Sequence, residues 1–207
     1  MIEVLRTSIT SLKVDAIVNA ANAQLRPGGG VDGAIHGVAG RELHEEQRHR
    51  YPEGCPTGEA VVTAGYRLPA RYVIHAVGPV WDNGRRAPAL LESAYRAAFA
   101  RALELGDVRT IAFPAISTGI YGYPKWPAAE IALRVMREHE SQFDRVVAAL
   151  FDAESLRIYE ELVRTAARVP TETEARVAHS DEGVSRPATA NDSSHVRRIR
   201  PHPTQGL

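Results

Sequence analysis

The sequence predicts an α/β fold, a three-layer α/β/α sandwich around a mixed central sheet, and three observations carry that prediction. Short runs rich in Val and Ile alternate with longer segments whose apolar residues recur every three or four positions, which is the pattern of strands interleaved with helices. Two of the short runs end in glycine-bearing loops, and sheets of this class gather ligands outside the carboxyl ends of their strands. The apolar share is 44% of 207 residues, enough for one ordinary hydrophobic core.

Taken in chain order, Ile2–Leu5, Ala16–Val18, Ala60–Val62, Tyr72–Val77, Thr110–Phe113 and Val146–Phe151 read as strands. Between and after them Asp32–His49, Ala87–Leu105, Trp126–His139 and Ala153–Ala167 read as helices. In the second of these Ala87, Leu90, Leu91, Ala94, Tyr95, Ala98, Ala102 and Leu105 form a single apolar stripe, a face that packs on a sheet. From Pro170 onward Pro, Thr, Ser, Glu, Ala and His dominate without periodicity, and such a segment cannot repay the entropy of ordering. The expectation is one domain over residues 1–168 and a disordered tail over 169–207. The basic run His195–His202 within that tail reads as a solvated terminus, with a weak electrostatic contact as the alternative.

The stretch Ala16–His36 runs from a strand through Gly28, Gly29 and Gly30 into a helix. Consecutive glycines open backbone conformations closed to other residues and bring N–H groups close to a ligand, and a helix N-terminus adds its positive dipole. Asn22 and Asp32 bracket that loop. The second loop, Ser117-Thr-Gly-Ile-Tyr-Gly122, again follows a strand and supplies backbone donors. Two opposed loops of this kind clamp a diphosphate through aligned amides without cationic side chains, and Tyr121 then packs over the distal ribose. The structural alternatives are plain: Asp32 as an N-cap, Asn22 as a turn residue bonded to nearby backbone, Tyr121 as a loop anchor. His36 lies one helical turn after Asp32 and is either a packed histidine or a second proton carrier. His75, inside a strand, reads as core.

Composition excludes other classes. Lys plus Arg (25) equals Asp plus Glu (25), so no basic field recommends nucleic acid. An RNA-binding module would also interleave aromatic and basic residues, and none are interleaved here. The single Cys55 excludes an internal disulfide or a cysteine-cluster zinc site, and without a paired base it is a poor nucleophile. No His, Cys, Asp or Glu group shows metal-ligand spacing, so neither metal nor cofactor is expected. The opening residues show no charged segment followed by an apolar run, and no stretch has the length of a membrane span. The expected compartment is the cytoplasm.

The pattern Asn22, six residues, Gly29-Gly30-Val31-Asp32 is similar to the signature of the MacroD-type macrodomains. Phe113-Pro-Ala-Ile-Ser-Thr-Gly-Ile-Tyr-Gly-Tyr-Pro124 resembles that family's other phosphate loop, and Val73-Ile-His-Ala-Val-Gly-Pro79 its central strand. The resemblance covers residues 1–167. It implies the macrodomain fold, ADP-ribose binding, and hydrolysis of O-acetyl-ADP-ribose or of mono-ADP-ribose esters on acidic side chains of proteins. It implies Asp32 as the catalytic carboxylate with Asn22 fixing the distal ribose. Along the rest of the ligand it implies Ser8, Ile9, Ala21, Gly29, Gly30, Val31, Ser117, Thr118, Gly119, Ile120, Tyr121 and Phe151, the last over adenine, with an ordinary core aromatic at a strand end as its structural alternative. Where family members usually read Gly-Asp-Ile-Thr, this chain has Thr7-Ser8-Ile9-Thr10, so an uncharged Ser8 replaces the carboxylate that accepts from the adenine amino group. The alternative function is a non-catalytic ADP-ribose reader using the same pocket.

Overall fold

The computed structural model describes residues 2–166, so the tail expected over 169–207 lies outside the described residues. Six strands form one sheet: β1 (Ile2–Arg6), β2 (Ala16–Ala21), β3 (Ala60–Ala64), β4 (Tyr72–Val77), β5 (Thr110–Phe113) and β6 (Arg145–Leu150). Their order is β1-β6-β5-β2-β4-β3. All neighbours are parallel except β3, which pairs antiparallel with β4, so the sheet is mixed as the alternation predicted.

Side chains alternate between the two faces of each strand, and the two layers follow from that period of two. Ile17, Val73, Ala112 and Val147 face a layer that includes Ile35, Ala39 and Leu43 from α1 (Gly30–Ala39) and α2 (Arg41–Arg50). Val18, Ile74, Ile111 and Ala148 face the opposite layer, built from α3 (Ala87–Leu105), α4 (Lys125–His139) and α5 (Ala153–Ala166). Phe99 anchors that second layer, with ring centroids 4.6 Å from Phe113, 5.5 Å from Phe143 and 4.5 Å from a stacked His139. Truncating a ring packed in this way costs about 3–5 kcal/mol.

Two sequence assignments need correction. The single helix expected over Asp32–His49 is two helices, because Gly40 takes φ 94°, a left-handed value that stops one helix and starts the next. The apolar spacing Ile35, Ala39, Leu43 runs through the break, since all three contact the same face of the sheet. That helical region also begins at Gly30 rather than Asp32, so Asp32 is not the N-cap; Gly29 holds that place. The last strand ends at Leu150 rather than Phe151, and Phe151 is 86% exposed, which rules out a core aromatic at a strand end.

Candidate functional site

β2 runs through the middle of the sheet, and its carboxyl end delivers the chain into the first glycine loop. Asp32 stands in the first turn of α1 and is only 5% exposed. Its Oδ2 accepts from the backbone N–H of Gly28 at 2.6 Å, and its Oδ1 accepts from Asn19 Nδ2 at 2.6 Å. Both carboxylate oxygens are therefore held, one by the loop and one by the sheet. Among the described residues the N–H groups of Gly29, Gly30 and Val31 have no acceptor, as the first turn of a helix leaves them. Asn22 behaves as the turn reading predicts: Nδ2 donates to the Arg26 carbonyl at 2.6 Å, and Oδ1 accepts from the Arg26 N–H at 3.1 Å.

β5 delivers the second loop beside the first. The Tyr95 hydroxyl of α3 donates to the Pro114 carbonyl at 3.2 Å and accepts from the Ile116 N–H at 3.2 Å, which fixes the base of the loop. Ser117 takes φ 67°, an uncommon value for a residue with a side chain, and its buried Oγ has no partner. Glycine is required at position 78 for this loop to approach β4, since a Cβ there would collide with Ser117 Oγ. Among the described residues the N–H groups of Gly119, Ile120 and Tyr121 have no acceptor. The loops meet across the gap, with Ile120 Cδ1 at 3.2 Å from where a Gly29 Cβ would stand.

Between them lies a cleft of about 740 Å³, within the ordinary size of a small-molecule site. Every residue that the sequence assigned to the site lines it: Ser8, Ile9, Ala21, Asn22, Gly29, Gly30, Val31, Asp32, Ser117, Thr118, Gly119, Ile120, Tyr121 and Phe151. The lining also includes Lys125, Asp152 and Ser155, which the sequence did not single out. Among the described residues Lys125 is the only basic one there, and it is paired with Asp152 at 2.9 Å and Glu154 at 2.7 Å. An anion placed in this cleft would meet backbone dipoles rather than a free cationic side chain of the described residues. At the far end Ser8 Oγ shares a hydrogen bond with Thr10 Oγ1 at 2.7 Å, and the Ile9 N–H has no acceptor among the described residues.

Burial and the Asp32 charge raise the Tyr121 phenol, so it stays protonated beside the carboxylate. His36 Nε2 lies 3.6 Å from Asp32 Oδ1, as the helical spacing predicted. Burial lowers its basicity against the pull of Asp32, leaving it neutral near pH 7. Burial and the Glu59 charge push the Cys55 thiol up to about 11, which removes it as a nucleophile. Among the described residues no cluster of His, Cys, Asp and Glu is arranged to hold a metal ion, and no helix is long and apolar enough to cross a membrane.

Sequence reading missed Asn19. It is fully buried on β2 and joins Asp32 to His75 of β4, whose Nδ1 lies 3.1 Å from the same amide nitrogen. The signal was present, since an Asn inside the apolar run Ala16-Ile-Val-Asn-Ala-Ala21 has to be satisfied by something. Its partners sit thirteen and fifty-six residues away, and pattern alone does not reveal them.

Comparison with known proteins agrees with this geometry. The profile described as Macro domain matches residues 18–132. A macro domain-containing protein of Ralstonia nicotianae is 55% identical over 157 residues, covering 75% of this chain and 90% of that one. An O-acetyl-ADP-ribose deacetylase of Salmonella gallinarum is 48% identical over 168 residues, covering 78% and 93%. The solved Trypanosoma brucei macrodomain in complex with ADP-ribose is 46% identical with a TM-score of 0.71, over 78% of this chain and 68% of that one. By sequence and by fold, this chain belongs to the macro domain family.

Proposed function

We propose that this chain binds ADP-ribose and hydrolyses the ester joining it to acetate, as in O-acetyl-ADP-ribose, or to Asp and Glu side chains of proteins. The observation that carries this reading is the Asp32 carboxylate, held at both oxygens on the edge of a cleft walled by two sets of free backbone N–H groups. A diphosphate between those loops meets aligned amides on both sides, and the dipole of α1 adds to the attraction. The distal ribose then lies toward Asn22, Asp32 and Tyr121. Asn22 keeps one amide hydrogen and one lone pair beyond its bonds to Arg26, enough to orient ribose hydroxyls.

Asp32 and the ligand's own phosphate orient a water against the ester. The water adds across the ester bond, and the products are ADP-ribose and the free carboxylic acid. The neutral His36 beside Asp32 leaves the carboxylate as the charged group of the pair. The relative named as an O-acetyl-ADP-ribose deacetylase and the solved complex with ADP-ribose both support the reading. No external cofactor enters it.

Incubating the protein with O-acetyl-ADP-ribose and with Glu-modified, Ser-modified and Arg-modified proteins tests the reading, with products identified by mass. Release is expected from the acetyl and Glu esters. Tight ADP-ribose binding with no release from any of the four would replace the hydrolase reading with a reader module.

Ser8 bears on the adenine end. It is exposed, and its hydroxyl is already shared with Thr10. A bond to a charged acceptor contributes about 1.5–3 kcal/mol against about 1 for a neutral one. Ser8→Asp is therefore expected to tighten ADP-ribose binding several-fold by calorimetry, short of the full difference because the site is wet. Unchanged or weaker affinity would mean that Ser8 does not meet the adenine amino group.

A further inference from the structure

Behind Asp32 a chain of polar side chains crosses a layer that is otherwise apolar. Asn19 of β2, Thr63 of β3, His75 of β4 and Gln47 of α2 are each no more than 1% exposed. The same layer holds Ile17, Ile35, Leu43 and Val73. Burying polar groups there costs free energy unless they are hydrogen bonded, so the pattern of bonds constrains what each group is.

The Asn19 amide nitrogen has two hydrogens and two acceptors, Asp32 Oδ1 at 2.6 Å and His75 Nδ1 at 3.1 Å. The carboxylate decides which end of the amide faces it, because a carbonyl oxygen in that place would be repelled. Gln47 Nε2 lies 3.1 Å from His75 Nδ1 and 3.4 Å from its Nε2, over the ring edge, and does not by itself distinguish the two nitrogens. With the Asn19 amide donor directed at it, Nδ1 carries a lone pair and the ring proton sits on Nε2, which donates to Thr63 Oγ1 at 2.8 Å. Burial holds the ring's basicity down to about 3, so it remains neutral.

We propose that His75, held in its Nε2–H tautomer by Thr63, is a positioning residue that fixes the Asn19 amide and, through it, the Asp32 carboxylate. The inference deepens the hydrolase reading and rests on it. The sheet itself supplies the geometry: Asn19 and His75 are ladder partners on parallel strands, and Thr63 lies two residues beyond the β3 partner of His75. The Asn19 Oδ1 has no partner, so the nitrogen alone anchors that side chain. In the opposite tautomer Nδ1–H would meet the Asn19 N–H, donor against donor. Turning the amide to relieve that conflict would bring its oxygen against Asp32. Tautomer and carboxylate orientation are thus tied together.

Thr63→Val removes the hydroxyl at nearly constant shape, and Thr63→Ser keeps it. On the full chain, kcat and KM for O-acetyl-ADP-ribose, ADP-ribose affinity by calorimetry, and the His75 ring tautomer by nitrogen NMR are measured for all three proteins. The wild type and Thr63→Ser are expected in the Nε2–H form, and Thr63→Val with the Nδ1–H form populated. Loss of a group that orients a functional side chain from behind costs about 10–100-fold in activity, and a fall of at least about tenfold in kcat is expected for Thr63→Val. KM and affinity should stay within about twofold, because the loop amides hold the ligand. A wild-type ring in the Nδ1–H form, an unchanged kcat in Thr63→Val, or an equal loss in Thr63→Ser would each overturn the inference. The NMR result is independent of turnover. A wild type that hydrolyses nothing would remove the hydrolase reading, while the Nε2–H form, lost in Thr63→Val, would still support the fixed Asn19 amide.

Discussion

Asp32→Ala is expected to lower ester hydrolysis by about a hundred- to ten-thousandfold, the usual cost of losing one positioned acid–base group. The carboxylate is 5% exposed and held by two donors at 2.6 Å, so its orientation toward the cleft is fixed before any ligand arrives. Its removal leaves the Gly28 N–H without its acceptor and the Asn19 amide without one of its two. That loosens the first loop, but the free N–H groups of Gly29 to Val31 and Gly119 to Tyr121 remain. ADP-ribose affinity by calorimetry should therefore change only a few-fold while kcat collapses, the signature of an interaction made in the transition state. Turnover near the wild-type value in a folded Asp32→Ala protein would keep the activity and remove Asp32 from it. His36, 3.6 Å away, would then be the next group to vary.

Gly119→Glu is expected to weaken ADP-ribose binding by on the order of a hundredfold, because a carboxylate about 4 Å from a phosphate is repelled by roughly 1 kcal/mol in water and 4 near a protein surface. The fold should tolerate the change. A Cβ at Gly119 meets nothing within 4 Å, and the residue has no left-handed backbone to strain. Gly122, in the same loop, takes φ 67° and would confuse conformational strain with charge, which makes it the poorer test. Among the described residues no lining cation is free to compensate, since Lys125 already pairs with Asp152 and Glu154. Unchanged affinity, with a melting curve like that of the wild type, would take the second loop out of the diphosphate site.

Most of the architecture was legible because strands and helices of an α/β sandwich bury contiguous stretches. The runs from Ile2, Ala16, Ala60, Tyr72 and Thr110 each fell within a strand, the run from Val146 overran its strand by Phe151 alone, and the apolar stripe of α3 lies against the sheet. The break at Gly40 was hidden for a physical reason. Ile35, Ala39 and Leu43 keep helical spacing across it, and only the backbone angle of one glycine separates the two helices. Phe151 was misread because an aromatic residue after an apolar run looks the same whether it ends a strand or stands on a rim.

The sequence by itself singled out both glycine loops and most of the cleft residues within them, because each loop is a contiguous segment whose glycines and polar residues lie within a few positions of one another. Tertiary structure alone decided how the sheet side of Asp32 is held. Asn19, His75, Thr63 and Gln47 come from three strands and a helix, and they meet only because β2, β4 and β3 are neighbours in the sheet and α2 packs over them. Their hydrogen bonds span intervals of 12 to 56 residues, too long for any local pattern to carry. A buried polar residue announces in sequence that it needs a partner; only the fold, by bringing distant strands to the same layer, says which one.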